Sequence, residues 1–206
     1  MLAKEAPKGW NSWNCWGPAA TEEIVKRNAK YMSQQLKEYG WEYIVIDGHW
    51  YEPLANDYVP NNFTKLEMDE FGRLLPVTIR FSSAKNGVGF KVIADYIHNL
   101  GLKFGIHIMR GVPRQAVHSN ISIKGTNIST RSIVDMESIC PWNTDMYGID
   151  CTKEGAQEYY NSLFELYAFW EVDFIKADDL LNYYNIDEIK LINNAIKQCG
   201  RDIVLS

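Results

Sequence analysis

Val172-Asp173-Phe174-Ile175-Lys176-Ala177-Asp178 is a mostly apolar run that ends on a cation and a carboxylate two positions apart. An amphipathic stretch precedes it, Lys153 to Trp170, and another follows it, Ile186 to Cys199. The same alternation runs upstream. Thr21 to Tyr39 predicts a helix, with Thr21 as its N-cap, Gly40 as its stop, and Ile24, Tyr31, Met32 and Leu36 near helical spacing. Trp41-Glu42-Tyr43-Ile44-Val45-Ile46-Asp47 predicts a buried strand closed by a carboxylate. Gly87 to Leu100 predicts a second helix that gathers Val88, Val92, Ile93, Tyr96, Ile97 and Leu100 on one face, with Gly101 as terminator. Leu102 to Ile108 and Asp202 to Leu205 read as further strands. With Trp10-Asn11-Ser12-Trp13 as the first strand, the order is βαβαβαβαβ, which predicts a parallel sheet covered by helices.

Two α/β architectures have that order. A doubly wound open sheet usually carries a glycine-rich first turn, and Asn14-Cys15-Trp16-Gly17-Pro18 has no such pattern. Gly87-Val88-Gly89 opens a helix without following a strand, so it reads as a cap. A (β/α)8 (TIM) barrel instead uses long βα loops and polar strand ends to build its active site. The stretches Tyr51 to Asn86 and Arg110 to Thr152 are such loops, and the strand ends are polar. The reading is therefore a barrel. A complete one takes about 250 residues. Residues 1–206 are then expected to be the N-terminal part of a catalytic barrel, incomplete at the C-terminus, with about five of eight βα units and an unpaired edge.

With 21 basic and 26 acidic residues the net charge is −5, which argues against a nucleic-acid partner. No apolar run approaches the roughly 20 residues needed to cross a bilayer, so no membrane partner is expected. Met1 to Trp10 lacks the apolar centre of a signal peptide. Compartment and oligomeric state leave no readable mark. Seven Trp and twelve Tyr serve equally as core filler, interface or sugar-stacking surface. Cys15, Cys140, Cys151 and Cys199 form no C-x-x-C pair or zinc spacing, so free buried thiols are expected and no structural metal. The sequons at Asn62, Asn120 and Asn127 read as coincidence in polar loops.

Chemistry concentrates at the strand ends. Lys176 and Asp178 point to the same side of their strand, where an ammonium favours the ionised carboxylate that a nucleophile needs. A buried ion pair that merely satisfies both partners has the same spacing. Asp47-Gly48-His49-Trp50 offers a carboxylate, a glycine that admits a ligand to the backbone, and an aromatic, or equally a loop cap and a core plug. Trp10 and Trp13 are core or a stacking platform for a sugar's C–H face. His49 and His107, near Asp47 and Asp178, invite a metal, but no H-x-H or H-E-x-x-H motif supports one, and no metal or cofactor is expected.

These residues resemble a known family. Gly9-Trp10-Asn11-Ser12-Trp13-Asn14 is similar to the opening motif of the α-galactosidase and α-N-acetylgalactosaminidase family, glycoside hydrolase family twenty-seven. Tyr43 to Trp50 resembles its Y-x-x-x-D-D-x-W strand. Gly72-Arg73-Leu74-Leu75-Pro76, Arg80-Phe81, Ala94 to His98 and Gly101 to Ile106 follow in order, and Val172 to Asp178 resembles the strand of its K-x-D nucleophile. The resemblance implies a retaining hydrolase of terminal α-galactosides with an α-linked oligosaccharide or glycoconjugate as substrate. Asp178 would be the catalytic nucleophile. Lys176 would hold the sugar and keep Asp178 ionised, and Asp47 would bind sugar hydroxyls. Trp13, with Trp50 behind it, would line the apolar side, and His107 joins this substrate-binding set.

Gly48 stands where the family has a second Asp, which loosens the expectation of galactose. Arg110 to Thr152 matches poorly, with Arg110, Asp145 and Asp150 as candidates for compensating groups or for loop salt bridges and caps. Asp179 points away from Asp178 and does not suit an acid/base partner. That residue is expected on a strand after Ser206. The alternatives are an α-N-acetylgalactosaminidase and a non-catalytic carbohydrate-binding paralogue, which retention of both Lys176 and Asp178 disfavours.

Overall fold

The computed structural model describes residues 5–55, 64–181 and 184–206. The principal sheet runs in the order β1 (Gly9–Asn11), β2 (Tyr43–Ile46), β3 (Lys103–Met109), β7 (Phe174–Asp178), β8 (Val204–Leu205). Every neighbouring pair in it is parallel. Parallel strands need crossovers, and the helices α2 (Glu22–Gln35), α3 (Lys91–Asn99), α5 (Ala156–Phe169) and α6 (Ile186–Gln198) supply them.

Helix α2 begins where the Thr21 hydroxyl accepts a hydrogen bond from the Ile24 amide and is followed by a 3-10 turn, Lys37–Tyr39, stopped by Gly40 at φ +83°. Its inward face is Val25, Ala29 and Met32, whereas Tyr31 is exposed. Of the expected face, Met32 is buried, Leu36 packs against the core and Ile24 is half-buried, so only Tyr31 departs from it. In α3 the buried residues are Ile93, Ala94 and Ile97, and Val92 is exposed.

The two-residue period of the strands sorts their side chains. Ile44, Ile46, Phe104, Ile106, Ile108 and Ile175 enter the main core, which also takes Trp50, Phe81, Phe90 and Trp170. Trp50, Phe90 and Trp170 meet edge to face at centroid distances of 5.3 to 6.0 Å. The opposite face carries Tyr43, Val45, Phe174 and Val204, a small separate apolar cluster. Asp47, His107, Lys176 and Asp178 share the sequence parity of that second face, so one face of the sheet is apolar at its base and charged at its C-terminal end.

Two expectations change. Trp13 is not on a strand: β1 ends at Asn11, whose side-chain oxygen accepts from the Trp13 amide, and Trp13 opens the short helix α1 (Trp13–Trp16). Residues 110–152, expected as one long loop, carry short regular elements between irregular stretches. They fold as β4 (Val112–Pro113), the short helix α4 (Arg114–His118), β5 (Val134–Asp135) and β6 (Met146–Ile149), an antiparallel sheet in the order β4-β6-β5. The four cysteines are free thiols, but only Cys140 is buried and Cys15 is exposed. Asn62 lies outside the described residues, while the Asn120 side chain accepts from the Ser129 hydroxyl. Among the described residues, no helix is long and apolar enough to cross a membrane.

Candidate active site

Register builds the site. In the β3–β7 ladder His107 lies beside Lys176 and Met109 beside Asp178. Side chains two apart share a face, so His107 also reaches the residue after next on the neighbouring strand. Its Nε2 lies 2.9 Å from Asp178 Oδ2. Lys176 Nζ stands 3.2 Å from the same oxygen and 3.0 Å from Asp47 Oδ2. Both partners of Asp178 thus converge on Oδ2, and neither clamps Oδ1.

Asp47 is fixed more completely. Asn11 Nδ2 donates to its Oδ2 at 2.5 Å, the Gly48 amide donates to its Oδ1 at 2.8 Å, and the Ser12 hydroxyl accepts from its amide at 2.9 Å. The residue is 4% exposed, against 35% for the side chains of Lys176 and Asp178. The carboxylate that is locked lies beneath, and the pair that can meet a ligand lies at the mouth.

Electrostatics follow from those contacts. The hydrogen bond from His107 holds the Asp178 carboxyl down at about 2; burial opposes this, and the charges of His107 and Lys176 reinforce it. Burial pushes Asp47 upward, but His107, the Gly48 amide, Asn11 and Lys176 together leave it below its ordinary value. Burial likewise works against the Lys176 cation, yet Asp47 and Asp178 raise it above the usual lysine range. Two anions and one cation are therefore stable together, in the protonation states that a charged nucleophile requires.

Trp13 lies at the mouth, its ring stacked on His49 at 5.9 Å between centroids. Trp50 does not. It is fully buried and donates its indole N–H to the His107 carbonyl at 2.8 Å, so it braces β3 from the core side and cannot touch a sugar. His49 pairs with Glu52 at 2.8 Å. Among the described residues, no cluster of three or more His, Cys, Asp or Glu could hold a metal.

The three loop candidates divide. Asp150 is half-buried and accepts from both the amide and the hydroxyl of Thr152, as a cap. Asp145 accepts from Tyr51 at 3.3 Å, and burial raises its carboxyl above the ordinary range. Arg110 is buried directly behind the candidate nucleophile. Its Nε lies 2.9 Å from Asp179 Oδ2 and donates to the Asp179 carbonyl at 2.8 Å, and its Nη1 lies 3.3 Å from Glu188 Oε2. Asp179 takes φ +65°, a backbone state that costs a non-glycine residue roughly 1 kcal/mol or more. Arg110 holds that turn in place next to Asp178.

Sequence reasoning gave no separate role to Asn11 and Ser12, although both lie in the quoted Trp10-Asn11-Ser12-Trp13 motif. A short polar pair flanked by tryptophans at a strand end was the available signal. Glu188 was missed altogether, because nothing in an amphipathic helix marks the one carboxylate that turns inward.

No family model matches the chain. Among solved structures, it is 61% identical to a family twenty-seven β-L-arabinopyranosidase from Geobacillus stearothermophilus, with a TM-score of 0.96 over 99% of this chain and 48% of that one. A candidate α-N-acetylgalactosaminidase from Bacillus halodurans is 60% identical, with a TM-score of 0.93 over 97% of this chain and 48% of that one. An α-galactosidase from Coffea arabica is 27% identical over 209 aligned positions, covering all of this chain and 41% of the relative. The chain spans about half the length of these proteins or less. Their shared family, the sequence motifs in their order and the fold agree: the chain belongs to glycoside hydrolase family twenty-seven.

Proposed function

We propose that the protein carrying this chain is a retaining glycoside hydrolase that cleaves terminal α-galactosidic bonds, with its five-stranded sheet forming the N-terminal part of a (β/α)8 barrel. The observation that carries this reading is Asp178, ionised, held through Oδ2 by His107 and Lys176, with its side chain 35% exposed. The same observation disfavours a non-catalytic sugar-binding paralogue, since binding needs no nucleophile.

The Asp178 carboxylate attacks the anomeric carbon, the glycosidic C–O bond breaks, and an acid protonates the departing oxygen. Water then attacks the glycosyl ester, losing its proton to the same group, so the anomeric configuration is retained. Lys176 and Asp47 hold sugar hydroxyls, and Trp13 offers an apolar wall. Asp47 is buried and held ionised, which unfits it as the acid. We assign the acid/base to a carboxyl in the other half of the barrel.

A second reading is hydrolysis of β-L-arabinopyranosides. That sugar has the ring stereochemistry of α-D-galactopyranose without the exocyclic hydroxymethyl group. The arabinopyranosidase at 61% identity favours it, as does Gly48 in place of a carboxylate. Rates on p-nitrophenyl α-D-galactoside, α-N-acetylgalactosaminide and β-L-arabinopyranoside separate the substrates. Asp178→Asn is expected to lower hydrolysis of the best of them by more than ~10³-fold while leaving the circular dichroism unchanged. Undiminished turnover would sink the proposal.

A further inference from the structure

His107 is 3% exposed, and while its Nε2 faces Asp178, its Nδ1 is buried without a hydrogen-bond partner among the described residues. Leaving a polar atom unpaired at this depth is costly, and a ligand group or an ordered water that reaches it completes the bonding. Gly48 lies beside that atom. A Cβ at residue 48 would stand 3.5 Å from His107 Nδ1 and Cε1 and 3.7 Å from Cζ3 of Trp13. Because residue 48 is glycine, no side chain of that residue stands between the imidazole edge and the indole. The Gly48 amide, bonded to Asp47 at 2.8 Å, ties this niche to the charged mouth.

We propose that the niche receives one hydroxyl of the bound sugar, hydrogen-bonded to His107 Nδ1. His107 then acts on specificity as well as on Asp178. This inference rests on the glycosidase reading and adds to it the group that replaces the carboxylate missing at residue 48. The Asp178 carboxylate is acceptor-only, so His107 Nε2 carries a proton toward it and Nδ1 is left for another partner. A hydroxyl suits the site in either charge state, since it both donates and accepts. The chain hydroxyl–imidazole–carboxylate also links sugar recognition to the nucleophile, each bond polarising the next.

Gly48→Ala is the direct test. Gly48 does not need a left-handed backbone, and a methyl group there makes ordinary contacts, so the variant is expected to fold. The methyl occupies the approach that a hydroxyl needs to come within about 2.8 Å of Nδ1. Binding of methyl α-D-galactopyranoside, methyl β-L-arabinopyranoside and the monodeoxy analogues of the galactoside, one for each hydroxyl, is measured by calorimetry. The substitution is expected to weaken the parent glycosides ~10-fold, the loss of one hydrogen bond. It should leave a single deoxy analogue unaffected, the one lacking the hydroxyl that enters the niche. Gly48→Ser, which puts a hydroxyl beside Nδ1, should bind that analogue at least as well as the unsubstituted protein does. Unchanged affinities for every ligand, or equal weakening of all analogues, would overturn the niche while leaving covalent labelling of Asp178, and so the hydrolase reading, intact. An unsubstituted protein that binds no pyranoside and is not labelled would overturn both.

Discussion

Replacing Arg110 by Met tests the support behind the candidate nucleophile. Methionine keeps the aliphatic stem but removes the guanidinium from two buried carboxylates, Asp179 and Glu188, at 2.9 and 3.3 Å. Removing one partner of a buried ion pair costs about 3–5 kcal/mol, because the surviving charge stays desolvated. Relaxation of Asp179 from φ +65° returns roughly 1 kcal/mol. The expected loss is therefore about 2–4 kcal/mol at pH 7, read from urea unfolding by tryptophan fluorescence. The loss should also depend on pH. Burial already raises the Glu188 carboxyl above its ordinary value, against the lowering effects of Tyr160 and Arg110. A carboxyl raised in the folded state binds more protons there than when unfolded, so its contribution falls as pH rises from the ordinary value through the raised one. Without Arg110 the rise is larger, and Arg110→Met should recover part of its lost stability when the pH is lowered from 7 to 5. A loss below about 1 kcal/mol at pH 7, or the same loss at both pH values, would refute the account of this network.

Two further outcomes are expected. Trp50→Phe removes the donor to the His107 carbonyl and leaves that oxygen buried, which should cost about 1–3 kcal/mol in urea unfolding; a neutral result would mean that Trp50 acts by packing alone. Asp178, lowered in the folded state to about 2, contributes stability above its unfolded value of 3.8 that is lost as pH falls through about 2. Asp178→Asn should therefore flatten the stability curve on the acid side of pH 4, and an unchanged acid slope would count against the His107 and Lys176 contacts.

Much of the site was legible because strand periodicity is simple. Asp47 closes one apolar run, and Lys176 with Asp178 closes another, so parity alone predicted that Lys176 and Asp178 share a face. The contact between His107 and Asp178 needed the β3–β7 register, which no single strand encodes. Of the two readings of Trp50, a wall behind Trp13 or a core plug, the second holds: the turn at Gly48 and His49 sends its ring into the core beside Phe90 and Trp170. The antiparallel strands of 110–152 span only two to four residues each, too short for a periodic pattern to register. Arg110 and Glu188 lie 78 positions apart, and only the folded chain brings them together behind Asp178.

The central claim is that Asp178 forms a bond to the sugar. Incubation with an activated fluoroglycoside of galacto configuration, whose leaving group needs no protonation and whose glycosyl ester hydrolyses slowly, followed by peptide mass spectrometry, measures it directly. One glycosyl unit should appear on the peptide containing Asp178 and be absent in Asp178→Asn. Labelling at Asp47 or any other residue, or labelling that survives Asp178→Asn, would contradict the mechanism.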